Sequence, residues 1–443
     1  MGTRLLPIVC AVLVVGVIGP AASTESERII IRKSPIRKAL VAVPDFTEDG
    51  RIVGLGLSKE LSEALRFDLD NSGHYRVVAD ARGVADAQRR DIEGGQVLLP
   101  NWRGLDAELV FKADVRRSGA KLVIRCLAYE SNTGKLVLNR TVKGLEENGR
   151  RLVHALSDEI VKVLVGAEGI ARTQIAFIKD NADGGRDLYL VDYDGHNLRR
   201  ITRDGGVAVS PDWSPDAGQI YYTSMHKGEP YLYRIDLARG KRIAVATYPG
   251  LNYAAAVSPD GTKLAVVLSK SGTPDIYTMD ADGGNLKRLT RSVGRLSTCP
   301  VWSHDGRRLA YVSNVHGGPQ LYVMRADGSG QRRLLEGYVE MTSLDWSPAA
   351  ATGDLVVFSA RTHGRRQLFV ADVKKDIVKQ LTTDAADHED PNFAPDGRHI
   401  VYVREPRSGA ADLYMLDVFD PKPVRITTFE GSEFYPAWSP AGY

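Results

Sequence analysis

The chain has 443 residues, 43% of them hydrophobic, which is enough for two domains with cores of their own. Its formal net charge of +3 is close to balance, and no block of Lys and Arg is interleaved with aromatic residues. This composition does not indicate a nucleic-acid partner.

The chain begins with the pattern of an exported protein. Arg4 precedes an apolar stretch over residues 5–19, and small residues follow it. Residues 1–22 are therefore predicted to be a secretory signal peptide, cleaved near Ala22 or Ser23. Because the apolar stretch is too short for a comfortable membrane span, the mature protein is expected to be soluble.

The cysteines show no pairing or metal-binding pattern. Cys10 lies inside the predicted signal peptide and lacks the preceding small residues of a lipid-attachment site. After cleavage Cys126 and Cys299 remain, one in each predicted domain. Two such distant thiols are expected to stay unpaired, and no metal or cofactor is predicted.

Residues 23–38 precede the first predicted domain and are predicted to form an N-terminal arm. The arm contains the run Arg28, Ile29, Ile30, Ile31 and Arg32. An extended β-branched run is suited to adding a strand to the sheet edge of a partner. The same run also fits an ordinary first strand of the domain that follows.

Residues 39–168 are predicted to form a compact α/β domain. Its strands are predicted over residues 39–44, 74–79, 107–115, 121–129 and 135–142. A first helix is predicted behind Ser58 as its N-cap, with Gly73 as its stop and one apolar face, made of Leu57, Leu61, Ala64, Leu65 and Leu69. A last helix is predicted to bury Leu152, Leu156, Ile160 and Leu164.

One short phrase recurs six times in the rest of the chain. Its copies are Trp213-Ser214-Pro215-Asp216, Val257-Ser258-Pro259-Asp260-Gly261, Trp302-Ser303-His304-Asp305-Gly306, Trp346-Ser347-Pro348, Phe393-Ala394-Pro395-Asp396-Gly397 and Trp438-Ser439-Pro440. The steps between the Ser positions (Ala394 in the fifth copy) are 44, 45, 44, 47 and 45 residues. A repeat of this length is typical of stacked supersecondary units.

Each repeat is predicted to be a propeller blade. Short apolar runs bounded by Gly, Pro, Asp and Ser indicate four strands in about 45 residues. The Ser-Pro-Asp-Gly phrase suits the hairpin turn between the first two strands, because Pro fixes φ and Gly accepts a positive φ. Residues 172–443 are therefore predicted to form a six-bladed β-propeller, in which the C-terminal strand near Trp438 completes the blade that opens at Gln174.

The connections that lead from one blade into the next are predicted to converge on one mouth of the propeller, because the blades are radial copies. The residues at these positions are Leu251, Asn252, Tyr253, Ala254, Ser297, Thr298, Cys299, Glu340, Met341, Thr342, His388, Glu389, Asp390, Glu433, Phe434 and Tyr435. Each of them fits a solvated loop as well as a contact with a partner.

Catalytic and metal-binding motifs find little support. Three consecutive residues such as His388, Glu389 and Asp390 do not present ligands in one direction. The pair Gly54 and Gly56 lacks the third Gly of a dinucleotide loop. A competing hypothesis is an exported hydrolase that uses Glu389, Asp390 and Glu433 at the channel mouth, although no Gly-x-Ser-x-Gly pentapeptide is present.

The domain order and three motifs resemble the TolB family of the Tol-Pal envelope system. The motifs are Val41-Ala42-Val43-Pro44-Asp45-Phe46 at the first strand, Trp102-Arg103-Gly104 before the third, and the repeated Trp-Ser-Pro-Asp-Gly phrase. The resemblance implies a monomeric periplasmic binding protein without catalysis. It further implies a role in outer-membrane integrity and in envelope constriction during cell division.

The resemblance also implies two partners. The Pal lipoprotein is expected at the propeller mouth, on the residues of the blade connections given above other than Glu433. The resemblance implies that the arm over residues 23–38 is mobile, and TolA, a protein anchored in the inner membrane, is expected on it through Arg28, Ile29, Ile30, Ile31 and Arg32. Association with membranes is expected only through these partners.

Overall fold

The computed structural model describes residues 37–440 except residues 50, 53–55, 95–96, 98, 292–293, 336–337, 339, 350–351 and 376. The described residues divide into two compact units, one up to Thr173 and one from Gln174 onward. The predicted signal peptide and the run Arg28–Arg32 lie outside the described residues.

The first unit is an α/β domain with a seven-stranded sheet in the described residues. Its strands are β1 (Ala39–Ala42), β2 (Thr47–Glu48), β3 (Arg51–Ile52), β4 (Tyr75–Val77), β5 (Leu109–Ser118), β6 (Lys121–Glu130) and β7 (Leu136–Leu145). Its helices are α1 (Leu57–Asp70), α2 (Ala81–Glu93), α3 (Leu99–Arg103) and α4 (Gly149–Val165), with a 3-10 turn at Glu146–Asn148. β1 runs parallel to β4 and β5, and β5, β6 and β7 pair in antiparallel succession.

Helices cover the two faces of this sheet unequally. α1 and α4 pack on one face, where Leu61, Leu65, Leu156 and Ile160 join the core that includes Phe111. On the other face α2 and α3 build a smaller cluster against β1 and the start of β5, centred on the buried Trp102. The remainder of that second face carries no helix in the described residues.

Several details of this domain differ from the prediction, which has no counterpart of β2, β3, α2 or α3. Ser58 does not cap α1: the N-cap is Gly56, and Ser58 lies buried in the first turn, where its carbonyl accepts a hydrogen bond from Ser62 Oγ at 2.5 Å. The sequence also gave no expectation for α2, whose N-cap Asp80 accepts a hydrogen bond from Gly83 N at 2.9 Å. α2 has few apolar residues, and Val84 and Ala87 alone form its apolar stripe.

The second unit contains six four-stranded antiparallel sheets among the described residues, which confirms the predicted propeller. Blade 1 consists of β8 (Gln174–Asp180), β9 (Arg186–Asp192), β10 (Arg199–Arg200) and the C-terminal β31 (Glu433–Trp438). Blade 2 consists of β11 (Ala208–Trp213), β12 (Gln219–Ser224), β13 (Tyr231–Asp236) and β14 (Arg242–Ala246), and blade 3 of β15 (Asn252–Val257), β16 (Lys263–Leu268), β17 (Asp275–Asp280) and β18 (Lys287–Arg288). Blade 4 consists of β19 (Ser297–Trp302), β20 (Arg308–Ser313), β21 (Gln320–Arg325) and β22 (Arg332–Arg333). Blade 5 consists of β23 (Leu344–Trp346), β24 (Leu355–Thr362), β25 (Arg365–Asp372) and β26 (Ile377–Gln380), and blade 6 of β27 (Asp387–Phe393), β28 (His399–Glu405), β29 (Asp412–Asp417) and β30 (Val424–Arg425).

The ring closes as the phase of the repeat predicts. β31 pairs antiparallel with β8, so the last strand of the chain is the innermost strand of blade 1. Ser439 extends the junction: its N–H donates to the Gln174 carbonyl at 2.8 Å, and its Oγ accepts from Gln174 N at 2.9 Å. This closure leaves no open edge between the first and last blades.

The Ser-Pro-Asp-Gly phrase forms the predicted turn between the first and second strands. In blade 2, Ser214 Oγ donates to Asp216 Oδ1 at 2.6 Å and accepts from Gln219 N at 2.9 Å. This hydrogen bond is the main reason that the pKa of Asp216 lies below its ordinary value. Ala217 has φ 56 at the position where Gly261 has φ 71, so the turn keeps its shape even without glycine.

Candidate functional site: the propeller channel and its mouth

The innermost strands line a central channel, and five of the six share a bulge. The register against the second strand slips at each of them, and the residue three positions before the Trp (or its equivalent) has a positive φ. These residues are Ser210, Ala254, Cys299, Asp390 and Tyr435, with φ of 49, 50, 50, 50 and 50. Left-handed backbone at non-glycine residues is rare and costs about 1 kcal/mol or more each. Because the bulge recurs in five of the six innermost strands despite this cost, we infer that it is a structural feature of the channel wall.

The bulge explains a proline inside a paired strand. Pro211, Pro300, Pro391 and Pro436 each follow the left-handed residue directly. Proline has no N–H to give to a ladder, so it is confined to strand positions that need no such bond. Because the bulge leaves this position unpaired, the four prolines do not interrupt the sheets.

The channel encloses a cavity of about 340 Å³. Its two ends differ: the upper mouth is the end where the innermost strands begin, and the lower mouth is the end that carries the Ser-Pro-Asp-Gly turns. Five of the predicted site residues line the cavity, namely Tyr253, Ala254, Cys299, Asp390 and Tyr435. Pro259, His304, Pro348, Pro395 and Pro440 line it toward the lower mouth.

Side chains in the channel wall join neighbouring blades. Asp212 Oδ2 accepts a hydrogen bond from Val257 N of the next blade at 2.7 Å, and Asp345 Oδ2 accepts one from Phe393 N at 2.7 Å. Asn392 makes the equivalent bond from blade 6 to blade 1, with its Oδ1 accepting from Trp438 N at 2.6 Å. All three residues directly precede the aromatic residue of their phrase.

Burial raises the pKa of the carboxyl groups in this wall. Burial raises the pKa of Asp212 and of Asp345 to about 7, and the Asp212 charge adds to the rise at Asp345. Burial also raises the pKa of Asp390 to about 7, with a further contribution from Glu389. Hydrogen bonds from neutral N–H donors stabilise the ionised carboxylate, but by less than its desolvation inside the propeller costs.

Four predicted site residues are buried structural groups, which corrects the expectation that they form part of an exposed mouth. Asn252, Ser297, Met341 and His388 are 0–1% exposed. Asn252 Oδ1 accepts from Tyr248 N at 2.9 Å, and Ser297 Oγ bonds to Ser313 Oγ at 3.1 Å. The His388 ring packs at a tilt against the Tyr402 ring, with 5.5 Å between the ring centroids, and its Nε2 bonds to Asp384 at 2.7 Å. Their side chains pack inside the blades and are not available to a partner at the mouth.

Three further predicted residues, Glu340, Glu389 and Phe434, contact arginine side chains. Glu340 pairs with Arg361 at 2.5 Å and is the most exposed of the set. Glu389 pairs with Arg366, and the Arg186 guanidinium lies 4.2 Å from the centroid of the Phe434 ring. Glu340, ahead of blade 5, and Glu389, in β27 of blade 6, are therefore fixed in ion pairs.

The remaining predicted residues, Leu251, Thr298 and Thr342, are half-buried at the start of the innermost strands. Most of the predicted set lies within these strands and only Leu251 and residues 340–342 lie outside them, which corrects the assignment of the whole set to loops. Residues of β15, β19, β27 and β31 are therefore held by the ladder to the second strand of their blade, on either side of the bulge.

The acids of the competing hydrolase hypothesis do not form one cluster. Of the three, all of which the structure describes, Asp390 alone lines the cavity. Glu433 is 0% exposed, and its Oε2 accepts bonds from Leu413 N at 3.2 Å and from Thr427 Oγ1. Within the part of the chain that the structure describes, no group of His, Cys, Asp and Glu side chains is arranged to hold a metal ion.

Sequence reasoning overlooked Asp212, Asp345 and Asn392. A signal for them was present, because three of the six copies of the phrase place Asp or Asn directly before the aromatic residue. Successive side chains of a strand point to opposite faces, so the residue directly before the aromatic residue lies on the opposite face of the innermost strand from that residue.

Comparison with known proteins addresses both units. The family model described as the TolB beta propeller domain matches residues 161–441, and the model described as the TolB amino-terminal domain matches residues 27–137. The chain belongs to the TolB family. This confirms the predicted family. In the part of the chain that the structure describes, none of the helices has the length and hydropathy needed to cross a membrane.

Individual members of the family are moderately similar. The chain is 30% identical over 260 residues to the Tol-Pal system protein TolB of Desulfosudis oleivorans, covering 58% of this chain and 59% of that protein. It is 31% identical over 292 residues to the protein of the same name from Anaeromyxobacter dehalogenans, covering 66% of each. The matches thus span less than two thirds of the length of these relatives.

The fold of the TolB family is also found in a solved relative. The crystal structure of TolB from Acinetobacter baumannii superposes with a TM-score of 0.79 at 24% sequence identity, covering 92% of this chain and 98% of the other. At this identity the match supports the shared fold of an α/β domain and a propeller.

Proposed function

We propose that this chain is a periplasmic scaffold of the Tol-Pal system that binds the Pal lipoprotein at the upper mouth of its propeller and TolA through its N-terminal arm. Membership in the TolB family carries this proposal. The proposed role is non-enzymatic and supports outer-membrane integrity and envelope constriction during cell division.

The shape of the upper mouth supports a protein partner there. Leu251, Ala254, Thr298, Cys299 and Tyr435 are half-buried, and Ala254, Cys299 and Tyr435 line the cavity. Leu251, Ala254 and Tyr435 pack on the cluster of Tyr253, Val209 and Val267. A partly apolar rim on rigid strands is what a protein interface uses for its central contacts.

The contacts of the channel acids support a role without catalysis. Asp212 and Asp345 accept backbone N–H groups of the next blade, and Asp390 Oδ2 accepts Tyr435 N at 3.3 Å. A general acid or base needs a reactive group aimed at a substrate position, whereas these carboxyls are used to join blades.

The Thr298→Arg variant is expected to lose Pal binding. Thr298 is half-buried at the start of β19, so a long charged side chain there must project into the mouth and displace a docked surface. We expect at least a hundredfold weaker binding, or about 3 kcal/mol, when immobilised Pal captures the purified protein.

The matched control is Thr262→Arg, which adds the same charge at the lower mouth. Thr262 is exposed in the turn between β15 and β16. This variant should bind Pal like the parent chain. Equal retention of both variants would move the Pal site away from the upper mouth, while co-purification of Pal from a cross-linked periplasm tests the function class independently.

Removal of residues 25–36 is expected to abolish TolA binding and to leave the thermal transition unchanged. The deletion stops before Arg37, because Arg37 pairs with Glu108 at 3.2 Å in the α/β domain. Calorimetry and a TolA pull-down measure the two effects. A large drop in the transition temperature would instead make residues 28–32 a structural strand of that domain.

A further inference from the structure

The α/β domain has a concave surface that the family assignment does not explain. α1 and α4 cover one side of the sheet, and α2 and α3 cover only the part of the other side next to β1. The rest of this second side, on β5, β6 and β7, borders a cavity of about 370 Å³. We call this surface the open face.

The floor of the open face is apolar. Val123, Leu127 and Tyr129 project from β6 and are half-buried, whereas Ile124, Cys126 and Ala128 between them are buried against the helices. Half-exposed apolar side chains in the middle of a sheet are where an added segment gains contact area.

Cations surround this floor. Arg116 and Lys143 lie opposite Val123 on the two neighbouring strands, and Lys112 lies opposite Leu127. Arg125 lies between these rows and is exposed, with Asn139 as its hydrogen-bond partner at 3.3 Å. The acids at the same surface are engaged, since Asp114 bonds to Thr47 and Arg116, and Asp45 pairs with Arg66 at 2.5 Å.

One of these cations is held in place from below. Lys112 Nζ donates to Asp91 at 3.0 Å, and the same carboxyl oxygen accepts from Trp102 Nε1 at 2.8 Å. Asp91 is 1% exposed and Trp102 is fully buried. The ammonium group is thus positioned at the edge of the cavity before any ligand arrives, which lowers the entropy lost on binding.

From this arrangement we infer that the open face binds an extended, acidic segment of a partner protein. Every second residue of such a segment faces the sheet; on that side, carboxylates would meet Lys112, Arg116, Arg125 and Lys143, and apolar residues would cover Leu127 and Tyr129. Two copies of the chain do not fit face to face here, because their cations would oppose one another. The concave shape suits a strand better than a flat lipid surface.

The test uses the full chain and a fluorescein-labelled octapeptide in which glutamate and valine alternate at every second position, with serine at the positions between, so that both lie on one side of the extended peptide. Fluorescence anisotropy should show at least about tenfold tighter binding than for the matching lysine and valine peptide, as expected for a few screened charge pairs. The preference should fall with added salt. Equal binding of the two peptides would overturn the inference.

Charge reversal locates the site. The double variant Arg125→Glu and Lys143→Glu changes two exposed side chains and should weaken glutamate peptide binding by about tenfold or more, with an unchanged thermal transition. The control Lys59→Glu, on the exposed side of α1, should bind like the parent. Unchanged binding by the double variant, or binding to phosphatidylglycerol vesicles without binding to the peptide, would contradict the proposal.

Discussion

A chain that ends at Gly431 is expected to lose the cooperative unfolding transition of its propeller. The truncation removes β31 and exposes the edge of β8. It also removes the buried Trp438, and loss of a buried Trp side chain alone costs about 3–5 kcal/mol. The Trp213 indole loses its acceptor as well, since Trp213 Nε1 donates to the Ala437 carbonyl at 2.9 Å.

Tryptophan fluorescence measures this effect, because four of the five tryptophans lie in the propeller and Trp102 lies in the α/β domain. A chain that lacks only residues 441–443 serves as the control and should unfold like the parent. If the chain ending at Gly431 kept the parental midpoint and cooperativity, β31 would not be the strand that closes the ring.

The Asp212→Asn variant is expected to be more stable than the parent at pH 8. The pKa of Asp212 is raised from 3.8 to about 7 in the folded chain, so the native state binds more protons than the unfolded state between these values. The contribution of Asp212 to the free energy of unfolding is therefore fully present below about pH 4 and is lost as the pH rises through 7. Asparagine keeps an oxygen acceptor for Val257 N without a charge to desolvate. We expect a gain of about 1–2 kcal/mol at pH 8, smaller than full burial of the charge implies because Asp212 lines the channel cavity.

Urea unfolding at pH 8 and pH 5 checks this prediction, and the advantage of the variant should shrink at the lower pH. Blade 6 supplies the reverse control, because Asn392 already occupies the equivalent position and bonds to Trp438 N. Asn392→Asp should destabilise the propeller at pH 8 and less so at pH 5. Identical pH profiles for parent and Asp212→Asn would mean that Asp212 is ionised in the folded chain at neutral pH.

The sequence predicted the propeller well because each blade repeats its turn chemistry. Pro and Gly at fixed places in the Ser-Pro-Asp-Gly phrase impose the hairpin, and the phase of the copies requires β31 to join β8. α2 was not predicted, because its apolar stripe is only Val84 and Ala87, and it is stabilised by the Asp80 cap and by packing under Trp102.

The site was harder to read than the fold. The position of the blade connections correctly directs attention to one end of the innermost strands, but spacing does not reveal which side chains turn inward. His388 and Asn252 look like surface residues in the sequence, yet both are buried. The His388 ring packs against Tyr402, and the Asn252 amide donates to the Tyr248 carbonyl of the preceding turn. The bulges at Ala254 and Cys299 reorient these strands, and a left-handed Ala or Cys has no signature in composition or periodicity.

The polarity of the channel wall differs from blade to blade, so the six blades are not equivalent around the propeller axis. Immediately before the aromatic position of their phrases, blades 2, 5 and 6 carry Asp212, Asp345 and Asn392, whereas blades 1, 3 and 4 carry Ala437, Ala256 and Val301. No rotation by one or more blades maps this pattern of polar and apolar positions onto itself. A ligand that binds in the channel therefore has only one rotational orientation about the propeller axis in which its polar groups match the polar positions of the wall.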